Sequence, residues 1–211
     1  MQRLTFVCTA NVCRSPLMQF TLLEVIGDPA AASWAVTSRG THAEAHTAMC
    51  DVSARMVAAR LAGTGHASSV RSTRISKKHC SKQHLLIAAT LIERSELASL
   101  HPPARAKTFT LREAIWLGEQ EPSAREIAAA EQQVADGVDP LEAYANLLHW
   151  RRGTKTLPNS WDALHRIFGN PLDVPDAHAA GTRQHAATLR RTREYTERFA
   201  NQMLGFLSAL K

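Results

Sequence analysis

Residues 6–16, FVCTANVCRSP, follow an apolar run and end on a proline. Two of the chain's four cysteines, Cys8 and Cys13, lie inside these eleven residues. Gln2 to Val7 (QRLTFV) reads as a short buried strand. Ser15-Pro16 reads as a helix start, with a hydroxyl at the N-cap and proline at the first helical position. A strand, a tight loop and a helix N-terminus form an anion site, because unpaired N–H groups and the positive end of the helix dipole point the same way. The backbone from Thr9 through Ala10, Asn11, Val12 and Cys13 to Ser15 can wrap one tetrahedral oxyanion. Arg14 adds a planar, permanently charged fork for two of its oxygens. Cys8 stands at the strand end, where such a cradle favours a thiolate and where Ser15 can donate to the sulfur. A thiolate beside a bound phosphate is set up for phosphoryl transfer through a phosphocysteine. Read as small buried hydrophobes instead, the two cysteines would not need the Arg-Ser pair beside them.

Outward from this loop, strand and helix patterns alternate. The helix PLMQFTLLEVI runs to about Gly27, SWAVTSRGT is a second strand, and DVSARMVAARLAG is a helix closed by Gly63. HLLIAAT is a third strand, LIERSELASL the next helix, and AKTFTL a fourth strand. The order predicts an α/β fold with a parallel sheet and helices on both faces. From Arg112 the pattern is almost wholly helical. SAREIAAAEQQVADG and PLEAYANLLHWRRG are separated by Gly137, and a long closing helix follows from Thr182. Leu189, Phe199, Met203, Phe206 and Leu207 give that last helix its apolar face. The 211 residues read as one domain, with a helical insertion at about 118–170.

Bulk properties narrow the class. Four cysteines do not make a disulfide scaffold, and no apolar stretch approaches the ~20 residues that span a bilayer. The first residues are too short and too interrupted for a signal peptide. A cytoplasmic protein with reduced thiols is expected. Net charge is +6, unevenly spread. No acid lies between Val52 and Ile92, whereas residues 113–142 carry eight acids against Arg125 alone. Such asymmetry suits an anionic partner on the basic side or an ordinary solvated surface; aromatic–basic interleaving of the kind that binds single strands is missing. His79, Cys80 and His84 have no common zinc spacing, so neither a metal nor a cofactor is expected.

FVCTANVCRSP resembles the signature of the low molecular weight protein tyrosine phosphatases, V-C-x-G-N-x-C-R-S-P. SRGTH at 38–42, HLLIAATLIERSEL at 84–97 and DVPDAHAAG at 173–181 resemble further segments of that family, over roughly residues 1–117 and 171–207. The resemblance implies a four-stranded parallel sheet of flavodoxin-like winding with the site at the carboxyl ends of its strands. It also implies roles. Cys8 is the nucleophile, and Arg14 binds the phosphate. Asn11 shapes the loop, Ser15 steadies the thiolate, and Ser38 buttresses from the second strand. Asp176 is the general acid and base, with Asp173 as the fallback. Cys13 is the partner that traps an oxidised Cys8 as a disulfide.

The chain departs from that pattern. Ala10 stands for the usual glycine, Ala177 and His178 for the proline and aromatic after the acid, and Glu44 for an aromatic wall of the cleft. The expected activity is hydrolysis of phosphate monoesters, on phosphotyrosine protein or a small aryl phosphate. Two alternatives are a thiol-dependent arsenate reductase of the same fold and a non-catalytic phosphate- or nucleic-acid-binding protein. The first would relay through Cys50 or Cys80. No membrane partner is expected, and nucleic acid is the weaker candidate ligand.

Overall fold

The computed structural model describes residues 1–58, 70–156 and 170–210. Four strands form one sheet: β1 (Gln2–Cys8), β2 (Trp34–Gly40), β3 (Leu85–Ala88) and β4 (Thr108–Thr110). Their order is β2-β1-β3-β4, and every neighbouring pair is parallel. The chain leaves β1 toward one edge and returns through β3 on the other side. Loops after β1 and β3 therefore diverge, and the crevice at their carboxyl ends is where open α/β sheets bind ligands.

Side-chain alternation builds both faces. Leu4, Phe6 and Cys8 join one core cluster with Leu85 and Ile87. Val7 points the other way and packs with Leu86, Ala88, Cys80 and Leu97. The first face is covered by α1 (Arg14–Ile26) and by the closing helix, Thr182–Ala209, where Phe199 meets Phe6 edge-on at 6.4 Å. The second face carries α4 (Lys77–Lys82) and α5 (Leu91–Leu100). Two short helices, α2 (Asp28–Ala31) and α3 (Asp51–Met56), flank β2 in sequence. Neither α2 nor α4 has enough periodic residues to stand out in the sequence, and residues 59–69, including Gly63, lie outside the described residues.

After β4 come α6 (Leu111–Gly118), α7 (Ala124–Ala135) and α8 (Pro140–Thr154); the closing helix is α9. Thr110–Glu113 and Ser123–Glu126 form reciprocal capping boxes that start α6 and α7. Leu141, Tyr144, Leu147 and Leu148 of α8 belong to the core cluster of the sheet's first face. Arg151 of α8 is 3% exposed. It grips Glu126 with two hydrogen bonds, at 2.8 and 2.9 Å, and donates to the carbonyls of Leu117 and Gln120. One buried guanidinium thus ties α6, the turn after it, α7 and α8 together. Glu126 is held at about 2, well below its ordinary 4.5, chiefly by the Arg151 hydrogen bonds.

Candidate active site

Cys8 is the last residue of β1, buried at 3% exposure. The chain then turns through residues 9–13 into α1. Asn11 takes the left-handed conformation, φ 56°, that this turn requires. Ala10 is not among the described residues with positive φ, so alanine in place of glycine there carries no backbone penalty of that kind. Asn11 suits its place because its amide is used twice: Nδ2 donates to Ser15 Oγ (3.0 Å), and Oδ1 accepts from the Thr73 N–H (2.9 Å).

The helix begins two residues earlier than Ser15-Pro16 suggests. Cys13 is the N-cap residue, and Ser15 sits inside the first turn without capping it. Its hydroxyl is used on the sulfur instead. Ser15 Oγ lies 3.1 Å from Cys8 Sγ and donates to the Arg39 carbonyl at 3.2 Å. The Asn11 N–H donates to the same sulfur at 3.3 Å. Ser38 is buried on β2 level with Phe6, while the β2 group that reaches the loop is the Arg39 carbonyl. Gly40 ends β2 so close to the loop that a Cβ there would fall 2.5 Å from the Thr9 carbonyl oxygen.

Arg14 is 5% exposed and aimed across the loop. Its Nη2 lies 2.8 Å from Asp176 Oδ2, and its Nη1 donates to the Val174 carbonyl at 3.2 Å. Behind it sits Glu93, 2% exposed, whose carboxylate accepts from Thr9 Oγ1 at 2.7 Å and from Thr90 Oγ1, and comes within 3.8 Å of Arg14 Nη2. Sequence reading missed Glu93. It occupies the N3 position of α5, where a capping glutamate is the ordinary reading, and only the fold brings it under the loop.

The segment 170–176 is laid along the strand ends. Thr110 Oγ1 donates to the Leu172 carbonyl, and the Val174 N–H donates to the Ala89 carbonyl. The two acids of this segment are separated by their duties. Asp173 accepts from the Leu91 N–H at 2.8 Å, so its carboxylate caps α5, and burial pushes its proton affinity up. Asp176 has a half-exposed side chain (54%) facing Arg14. His42, whose N–H donates to the Thr9 carbonyl, has its exposed ring Nδ1 3.6 Å from Glu96; Glu44, two residues on, is exposed and its carbonyl accepts from Ser72.

The cysteines sort differently from their sequence spacing. Cys80 is fully buried under the second face of the sheet. Cys13 and Cys50 instead meet beside the loop, joined by His178 and His185. The interaction between the two neighbouring sulfurs is the main reason that the Cys13 thiol is pushed up and the Cys50 thiol pulled down. No local signal predicts this group, since its members come from four segments of the chain.

Taken together, the site offers a sulfur held by two hydrogen-bonding groups, a buried guanidinium and a half-exposed carboxylate paired with it, a set suited to accept, transfer and release a phosphoryl group. The family model of low molecular weight phosphotyrosine protein phosphatases matches residues 3–133. A protein-arginine-phosphatase from Geobacillus stearothermophilus is 34% identical over 114 residues, covering 53% of this chain and 70% of that protein. Among solved structures, a low molecular weight phosphotyrosine phosphatase from Vibrio cholerae O395 is similar over 97% of this chain and 95% of its own. Its TM-score is 0.57 at 14% identity, a likeness of fold. The arginine phosphatase structure from Geobacillus stearothermophilus is similar over 80% of this chain and 97% of its own, with TM-score 0.46 and 21% identity. The chain belongs to the low molecular weight phosphotyrosine protein phosphatase family, a family of phosphatases.

Proposed function

We propose that this member of the low molecular weight phosphotyrosine protein phosphatase family hydrolyses its phosphate ester in two steps through a phosphocysteine. The observation that carries the reading is the convergence of Cys8, Arg14 and Asp176 on one loop. In the first step Cys8 Sγ attacks phosphorus while Asp176 protonates the leaving oxygen. The bond from phosphorus to that oxygen breaks as the S–P bond forms. In the second step Asp176 takes a proton from water, water oxygen attacks phosphorus, and the thiolate leaves. Arg14 spans two phosphoryl oxygens and steadies the charge of both transition states. A phosphate entering the loop competes with the Asp176 carboxylate for Arg14 Nη2, which frees that carboxylate for the proton transfer. The Asn11 N–H holds the sulfur as a leaving group, joined by the Ser15 hydroxyl when its proton turns from the Arg39 carbonyl to the thiolate, and Asn11 keeps the turn. Ser38 supports β2 beside the loop.

The substrate class proposed is a phosphorylated protein side chain or small phosphate ester, phosphotyrosine and aryl phosphates first. A second reading is phosphoarginine. The His42–Glu96 pair beside the Thr9 carbonyl offers a carboxylate to a cationic guanidinium, and the 34% identical relative is a protein-arginine-phosphatase. The chain is further read as one domain with a helical insertion at about 118–170. No helix among the described residues is long and apolar enough to cross a membrane, and we place the protein in the cytoplasm. The Cys8–Cys13 disulfide is kept as the redox device of the site.

Turnover of phosphotyrosine, phosphoarginine, phosphoserine and aryl phosphates by wild type and Cys8→Ala tests the reading. Phosphotyrosine and aryl esters turning over fastest, all lost in Cys8→Ala, is the expected pattern. A phosphoarginine preference moves the substrate class, and full activity of Cys8→Ala removes the mechanism.

A further inference from the structure

Cys13 closes the phosphate loop, Cys50 precedes α3, His178 follows the acid by two residues, and His185 lies in the first turn of α9. One donor atom from each lies within 4.8 Å of the other three. Cys13 Sγ is 3.3 Å from His178 Nδ1, and Cys50 Sγ is 3.6 Å from His185 Nε2. The two rings meet edge to face, with centroids 4.9 Å apart. His185 is buried, and its Nδ1 has no hydrogen-bond partner among the described residues.

Two thiols and two imidazoles in four-way contact are the donor set of a closed tetrahedral zinc site. With Zn–S near 2.3 Å and Zn–N near 2.0–2.1 Å, tetrahedral donors stand about 3.3–3.8 Å apart. The four atoms here are already at or within roughly 1 Å of that spacing, a distance that small side-chain rotations close. Sulfur and imidazole together select zinc over magnesium or calcium. Burial of cysteines as small hydrophobes would account for the thiols alone and would leave two histidines converging on them without a reason.

We infer that Cys13, Cys50, His178 and His185 bind a zinc ion that staples the Asp176-bearing segment to the phosphate loop. Four donor bonds form, the thiol protons are released to solvent, and no electron changes hands. The staple reaches the chemistry through one contact. The His178 N–H donates to Asp176 Oδ1 at 2.9 Å, so fixing the His178 ring fixes the carboxylate two residues before it. That link to catalysis rests on the phosphatase reading, whereas the metal site stands without it. The ion also joins α9 to α3 through His185 and Cys50, bringing four distant segments to one point.

The test is a titration of the reduced, metal-stripped full chain with Zn²⁺ against a chromophoric chelator, with Co²⁺ as a spectroscopic stand-in. One zinc per chain is expected, and the Co²⁺ form should show tetrahedral bands with thiolate-to-metal charge transfer. Outer-shell changes already weaken metal sites ~10–100-fold, so removing a ligand in Cys50→Ser or His185→Gln should cost at least ~100-fold. Cys8→Ser should keep wild-type affinity, and zinc should slow amide hydrogen exchange across residues 173–181. Unchanged affinity in the Cys50→Ser/His185→Gln double variant, or an octahedral Co²⁺ spectrum, overturns the site. Loss of binding in Cys8→Ser would put the ion on the nucleophile and overturns it too. Unchanged exchange across 173–181 overturns the staple. If His185→Gln does not fold, the half-buried Cys50→Ser carries the comparison alone. Failure of the phosphatase reading would show as turnover by Cys8→Ala and would leave the zinc titration unaltered.

Discussion

Asp176 Oδ2 lies 2.8 Å from Arg14 Nη2, although the two residues are 162 positions apart in the chain. The contact joins the group proposed to hold phosphate with the group proposed to move protons. Asp173, three residues earlier, is committed to the Leu91 N–H. General-acid catalysis typically contributes ~10²–10⁴-fold. Asp176→Asn should therefore slow phenyl phosphate or phosphotyrosine by that order, and an activated nitrophenyl ester by less. Asp173→Asn keeps an oxygen for the helix cap and should change turnover little, while Asp173→Ala should cost ~1 kcal/mol of stability. Rates plotted against leaving-group pKa decide the point. A flat response in Asp176→Asn, or a larger defect in Asp173→Asn, places the acid elsewhere.

Asn11 combines a left-handed backbone with two side-chain hydrogen bonds. Asn11→Ala and Asn11→Gly both remove the bonds to Ser15 and Thr73, but only alanine pays for φ 56°, a cost of about 1–2 kcal/mol. Urea unfolding should rank wild type above Asn11→Gly and Asn11→Gly above Asn11→Ala. Turnover should fall in both variants. An alanine variant as stable as the glycine one would mean the loop relaxes out of its observed turn.

Arg151 is the buried tie of the helical excursion. Arg151→Ala leaves Glu126 only its Ser123 capping bonds and leaves the Leu117 and Gln120 carbonyls without this donor, and losing one side of a buried ion pair costs about 3–5 kcal/mol. Glu126 adds a pH signature. Its folded value is depressed from 4.5 to about 2, so its contribution is present above the unfolded value and is lost as pH falls from 4.5 toward about 2. Unfolding measured across that window should show wild type losing stability more steeply than Arg151→Ala. Parallel curves would remove the pair from the account.

Cys13 has two candidate sulfurs within reach of oxidation chemistry. Cys8 is its neighbour in the loop, and the Cys50 sulfur lies within 4.8 Å of its own. Mild peroxide should oxidise a thiolate to a sulfenic acid; a second thiol then attacks that sulfur, the S–S bond forms as the S–O bond breaks, and the oxygen leaves as water. In Cys50→Ser the competition is gone, so the Cys8–Cys13 fraction found by peptide mapping should rise. Recovery of activity with dithiothreitol should then become more complete. An unchanged fraction would show that Cys50 does not compete.

Much of this was legible in the sequence, for identifiable reasons. The strand end at Cys8, the turn after it and the helix LIERSELASL were readable because strand, turn and helix signals are local, and the helix runs over Leu91–Leu100 as expected. The parallel sheet followed from alternation. Ser15 was misplaced as an N-cap because a hydroxyl before proline has that meaning only when its side chain is free, and here the Cys8 sulfur and Asn11 claim it. Glu93 and Arg151 were invisible because their partners are set by packing: Thr9 lies 84 residues from Glu93, and Glu126 lies 25 from Arg151. The Cys13, Cys50, His178 and His185 group was hidden for the same reason, while the sequence-adjacent His79, Cys80 and His84 drew notice. His79 in fact serves Thr5 on β1, and His84 faces Asp139.

The proposed mechanism requires that phosphate pass through Cys8. Rapid acid quenching of a phosphotyrosine or aryl phosphate reaction, followed by peptide mass spectrometry, tests it most directly. Phosphate should be recovered on Cys8, accumulating further in Asp176→Asn if water attack is slowed more than transfer, with no phosphopeptide or turnover in Cys8→Ala. Phosphate recovered on another residue, or turnover that persists in Cys8→Ala, would contradict it.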